Sequence, residues 1–142
     1  MQAGTQYDVG DKQAYVTEEL LSYVTEKFGS GAAMRFIPYI QMHEFEGLLF
    51  SSPSILSTSL DTPKIEKQLQ QVLSEFPTPE WINDGVNSSP SKRITKLFPA
   101  FDKPIHPVLA ALEIGLSSIR LSCALFDRWV SHLEDVNLRV RK

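Results

Sequence analysis

Arg35-Phe36-Ile37-Pro38-Tyr39-Ile40-Gln41 is the stretch on which the fold class turns. It follows the Gly29-Ser30-Gly31 break, and it is short, aromatic and branched, as β-strands are. Pro38 has no N–H to give a ladder, so the strand is expected at a sheet edge or at a bulge. A lone strand also needs partners, because buried backbone groups must be paired. The partner is expected either from Tyr7-Asp8-Val9 or from something outside this chain. Beyond it, His43 to Phe50 continues as strand or turns into helix.

Helical patterns flank this stretch on both sides. Residues 1–10 are polar and glycine-containing and are expected to be loosely ordered. From Asp11, Val16, Leu20, Val24 and Phe28 recur every four residues, and Gly29 supplies a stop. On the other side, Ser51 to Pro63 reads as a Ser/Thr/Pro-rich loop. Asp61-Thr62-Pro63 then opens a helix striped by Ile65, Leu69, Val72, Leu73 and Phe76. Thr78-Pro79-Glu80 begins a short helical turn, Asn83-Asp84-Gly85 is a turn, and Ser89-Pro90 opens another helix. Val108 to Ile114 and Leu116 to Leu133 complete the pattern, with a break near Gly115. The expected fold is α/β and helix-rich, with one or two strands and about five helices. The expected organisation is a disordered or extended stretch over 1–10, one folded portion over 11–136 and a basic tail over 137–142.

Composition narrows the function classes. The chain has 142 residues, which fits one domain. Hydrophobic residues make up 42% and charged residues 22%, an ordinary globular balance that argues against disorder. A formal charge of -3 excludes a polybasic protein that coats nucleic acid by charge alone. One cysteine, Cys123, excludes an internal disulfide framework and a Cys-rich zinc site. No apolar run approaches the roughly 20 residues needed to span a bilayer. With no signal-peptide pattern at Met1, a cytoplasmic location without membrane contact is expected.

Three constellations could carry chemistry. The densest is His43-Glu44-Phe45-Glu46, because carboxylates and an imidazole can hold a hard divalent cation. On a strand, Glu44 and Glu46 share a face; on a helix, His43 and Glu46 do. The plainer reading is acids in a first helical turn, favoured by the macrodipole. The second is Asn83-Asp84-Gly85 with Ser88-Ser89-Pro90-Ser91-Lys92-Arg93, and Lys96 nearby. A capped helix start offers amides that suit a phosphate, although a solvated basic face explains the same residues. The third is Asp102-Lys103 with His106 and Glu113, for which a surface salt bridge is the default. Cys123 falls on an apolar face and reads as a buried structural thiol.

Taken together, the run from Arg35 to Ser51 resembles the central motif of a bacterial family known as domain of unknown function 4276. Ile82-Asn83-Asp84-Gly85, Ser89-Pro90-Ser91-Lys92-Arg93-Ile94, Phe101-Asp102-Lys103 and Ala111-Leu112-Glu113-Ile114-Gly115-Leu116 carry the same resemblance, as do Ile119-Arg120, Cys123, Phe126 and Trp129. That family resembles the Toprim-like (topoisomerase-primase) group, whose carboxylates hold magnesium for phosphodiester chemistry. Relatives include nucleases of the overcoming-lysogenization-defect type, found beside ATPases in phage-defence loci.

The resemblance implies Mg²⁺ or Mn²⁺ on Glu44 and Glu46, with His43 beside them. It implies Glu44, Glu46 and Lys92 as catalytic residues, and Ser91, Arg93, Lys96 and Lys103 as substrate-binding residues. It implies nucleic acid as substrate and a neighbouring ATPase as partner. No strand followed by Glu-Gly precedes Arg35, so by this resemblance the chain lacks the family's N-terminal part. The sequence leaves open whether a homodimer supplies the missing acid in trans. The chain alone is expected to be weak or inactive, since one or two carboxylates leave a magnesium ion mostly hydrated. The alternative expectation is a non-catalytic subunit that docks on the ATPase through an apolar helix face.

Overall fold

The computed structural model describes residues 8–83 and 88–140, with side chains described as far as Val136. Among the described residues all regular structure is helical and no strand occurs. The expected α/β class, with its one or two strands and a partial Toprim-like sheet, is therefore corrected. The reason is where residues 35–41 spend their backbone groups. The Arg35 and Phe36 amides donate to Ala32 and Ala33, closing the turn after a preceding helix. Pro38 has no donor. The Ile37 carbonyl accepts the Trp129 indole N–H at 3.1 Å, and the Ile40 carbonyl accepts the Gln13 side-chain amide at 2.8 Å. These groups are satisfied by turn contacts and side chains, so β-propensity has no ladder to join.

The chain falls into two compact units. The first comprises Met1–Met42 and Arg128–Lys142. Its helix α1, Val9–Phe28, starts where Asp8 accepts the Gly10 N–H at 2.8 Å and stops at Gly29, whose φ of 84° favours glycine. The start lies two residues before the predicted Asp11, so Asp8 to Gly10 form a cap and first turn instead of loose chain or strand. Tyr7 lies outside the described residues. A short helix α2, Ser30–Ala33, follows. The Tyr39 ring stacks on Trp129 at 5.2 Å. Among the described residues of this unit only Val9 is a buried apolar side chain, and Phe28, at the end of the predicted stripe, is 70% exposed.

The second unit, His43–Asp127, holds the hydrophobic core. Helix α3 (Glu46–Leu49) contributes Leu48 and Leu49, followed by Phe50. Helix α4 (Pro53–Ser59) lies within the predicted Ser51–Pro63 loop, which is a correction: Ser52 and Pro53 are a cap and a first helical residue, and Leu56 is buried. Pro63–Ile65 is a 3₁₀ turn leading to α5 (Glu66–Ser74), and Pro79–Trp81 is another. Then come α6 (Pro90–Leu97) and α7 (His106–Ser122). Fully buried Phe50, Leu49, Leu56, Leu69, Ile82 and Ile94 form the centre of the core. Each contributes roughly 1.5–3 kcal/mol on burial.

The predicted break in the last helical stretch is present at Gly115, with φ 77° and ψ 151°. A second break was not predicted. Cys123, with φ −121° and ψ 86°, ends α7, and α8 (Ala124–Val140) begins after it. Leu116 to Leu133 is thus two helices, and α8 runs into the predicted 137–142 tail as far as Val140. No single helix among the described residues is long and apolar enough to cross a membrane.

Candidate functional site

The second unit gathers an acidic pair around one lysine. Residues 41–45 carry no regular helix or strand, and α3 begins at Glu46, so Glu44 and Glu46 are brought together by a turn rather than by strand or helix periodicity. Glu46 is 5% exposed. Gly47 lets α3 approach closely: a Cβ there would lie 3.2 Å from the Pro79 carbonyl oxygen and 3.6 Å from Pro90 Cγ. This contact seats the acids against the start of α6.

Glu44 occupies that helix start. Its Oε2 accepts the Ser91 backbone N–H at 2.8 Å. Ser89 makes no side-chain cap bond. The predicted phosphate position at the α6 N-terminus is thus filled by a carboxylate of the same chain, which is what the helix end favours electrostatically. Lys103 comes from the loop between α6 and α7. Its Nζ lies 3.0 Å from Glu44 Oε1 and 3.5 Å from Glu46 Oε1. The loop is closed by the Asp102 N–H donating to His106 Nδ1 at 2.7 Å, with the His106 ring against Phe98 and Phe101.

These contacts fix the charges. Burial alone would raise the Glu44 carboxyl, but hydrogen bonds from the Ser91 side chain and backbone, then Lys103, hold it below the ordinary carboxylate value. The hydrogen bond to Glu44 outweighs desolvation at Lys103 and, with the charge of Glu46, raises its ammonium above the ordinary lysine value. Glu44 and Lys103 are therefore a charged pair at neutral pH.

The other predicted residues separate into two groups. Ser91 joins the acids. Arg93 does not: its Nε donates to the Ser88 carbonyl, its Nη1 to Glu75, and its guanidinium lies 5.1 Å from the Phe76 ring centre. Lys92 is exposed. Lys96 lines a groove of about 300 Å³ with Arg93, Glu75 and Gln71, and Glu44 is not part of its lining. Among the described residues no group of three or more His, Cys, Asp or Glu side chains gathers as a metal site, so His43 does not complete a triad with the two acids. Asp84 and Gly85 of the predicted turn lie outside the described residues.

Sequence reasoning missed Glu80. Its carboxylate is buried and accepts the backbone N–H of Leu125 at 3.0 Å and of Phe126 at 2.8 Å, capping α8 from 45 residues away. Local sequence held no signal for this, since Thr78-Pro79-Glu80 reads as an ordinary helix start. Cys123 is buried with its Sγ 3.4 Å from Ser51 Oγ, and burial pushes the thiol up to about 12.

Fold and site together define a helical domain in which an acidic pair converges on one lysine. The family model described as domain of unknown function (DUF4276) matches residues 7–134, most of the chain. The chain belongs to that family. No curated protein and no solved structure matches it.

Proposed function

We propose that this chain contributes a divalent-cation site for phosphodiester chemistry on nucleic acid, with Glu44 and Glu46 as ligands for Mg²⁺ or Mn²⁺. One observation carries the reading: a single ammonium engages both carboxylates, so their oxygens converge on a position that suits one cation. The donor set fits the ion, because magnesium takes one or two carboxylates together with waters and substrate phosphates. When bound, such an ion polarises a phosphoryl oxygen and lowers the pKa of an attacking water. The chain's own residues do the rest. Ser91 orients Glu44 through its amide. Burial of Glu46 keeps its carboxylate fixed. Lys103 carries positive charge beside the pair, where charge develops on a reacting phosphate.

Mn²⁺ titration followed by electron paramagnetic resonance tests the reading. The wild type should bind one ion weakly, and both Glu44→Gln and Glu46→Gln should weaken that binding at least about tenfold. Binding untouched by either substitution would overturn the assignment.

A second reading has its own observation. Ile105, Val108, Leu109, Leu112 and Leu116 expose large apolar side chains at and along α7, with Leu112 74% exposed. Exposed apolar side chains at this spacing suit a protein partner, and a neighbouring ATPase is the partner this reading proposes. Leu112→Asp should then abolish co-elution with that ATPase in gel filtration while leaving Mn²⁺ binding intact; co-elution that survives the substitution counts against it.

A further inference from the structure

Lys103 stands where a bridging metal would stand. Glu44 has two carboxylate oxygens, and they are not equivalent. Oε2 is committed to the Ser91 amide at the start of α6. Oε1 is the one Lys103 holds, at 3.0 Å, and the same ammonium lies 3.5 Å from Glu46 Oε1. A metal bridging these two oxygens would stand where the ammonium now stands. From these distances we infer that Lys103 is a built-in counter-cation, displaced when a divalent ion binds, so that ammonium and metal occupy the acidic pair alternately. The inference rests on the divalent-cation reading and adds an exchange to it.

Electrostatics favours exchange over joint occupancy of the same position. Two carboxylates and one ammonium carry a net charge of one negative unit. A divalent ion added without displacement would sit within a few ångströms of a positive charge, beside a buried glutamate where water screens poorly. Displacement instead leaves two negative charges for two positive ones.

The partner able to move is also identified. The Glu46 side chain is 7% exposed and seated in α3, whereas the Lys103 side chain is 54% exposed on a four-carbon stem. Its loop is held by the bond from the Asp102 amide to His106, so the side chain can swing to water while the backbone stays in place. The released ammonium remains tethered beside the acids.

The test compares Mn²⁺ affinity of the full chain, read by electron paramagnetic resonance at fixed pH and salt, in wild type, Lys103→Met and Lys103→Arg. Removing the competing charge should tighten binding about tenfold or more, while arginine, which keeps the charge, should stay within about threefold of wild type. Wild-type binding that is unchanged or weakened by Lys103→Met overturns the exchange and leaves the cation site standing. Absence of binding in both wild type and Lys103→Met overturns the cation reading, and the exchange with it. Should Lys103→Met fail to fold, as judged by circular dichroism, acetylation of the wild type decides. Mass spectrometry should find Lys103 labelled severalfold faster in Mn²⁺-saturated protein than in metal-free protein, and equal rates refute the exchange.

Discussion

Replacing Glu80 with alanine should loosen the start of α8 from the core of the second unit. The carboxylate lies against that helix start at 4% exposure. It accepts the Leu125 and Phe126 amides, the second and third of a helix beginning at Ala124. Those amides are among the four that a helix cannot satisfy internally. Cys123, the residue before the helix, offers no side-chain oxygen to replace the cap. A hydrogen bond to a charged group is worth about 1.5–3 kcal/mol, and two that share one carboxylate in a part-buried setting give roughly 3 kcal/mol for Glu80→Ala. Glu80→Gln keeps one acceptor oxygen and turns an amide toward the other N–H, so about half of that loss is expected. At this chain length, 1 kcal/mol moves the Tm by about 3–5 °C. Thermal unfolding followed by circular dichroism should therefore show Glu80→Ala melting roughly 10 °C below wild type, with Glu80→Gln between them. A Glu80→Ala protein that melts within about 2 °C of wild type would refute the cap as an energetic feature. A Glu80→Gln protein as destabilised as Glu80→Ala would refute the ordering of the two losses.

Three further outcomes follow from two buried contacts. The Cys123 thiol, pushed up to about 12 by burial, should resist alkylation at pH 8 in the folded protein and react fully in urea. Its folded value lies above its unfolded one, so its contribution to stability is complete below the unfolded value of about 8.5 and is lost as pH rises toward 12. Urea melts at pH 8 and pH 10 should show a loss in wild type that Cys123→Ala lacks. Gly47→Ala places a Cβ 3.2 Å from the Pro79 carbonyl oxygen, so α3 must shift from its seat. A cost of about 1–2 kcal/mol should lower the urea midpoint, and an unchanged midpoint would mean the seat is looser than these distances imply.

The helices were legible where pattern and punctuation agreed. The four-residue recurrence through Phe28 with Gly29 as stop, the proline starts at Pro63 and Pro90, and the break at Gly115 were all readable, because caps and glycines act through nearest neighbours. The strand reading of residues 35–41 failed because β-propensity describes how side chains suit a sheet, not whether a sheet exists. Here Trp129, from 92 residues along the chain, and Gln13 take the carbonyls that a ladder would have used. The break at Cys123 was missed because it depends on Glu80, a residue with no local reason to be near it.

The candidate site divides in the same way. Its residue types were legible: Glu44, Glu46, Ser91 and Lys103 were all singled out by their chemistry and their place in the motifs. Their assembly was not. Whether Glu44 met Glu46 or His43 met Glu46 depended on a strand-or-helix choice, and the chain uses neither periodicity, only a turn before α3. Helix starts, stops and the chemical types available were readable locally, because they depend on residues a few positions apart. Which cation faces the acids was settled by long-range packing. Lys103 reaches them across 59 residues while Arg93, two positions from Ser91, turns away to Glu75. Charge alone favoured each basic residue equally, and packing, which fixes the distances at which charges act, made the choice.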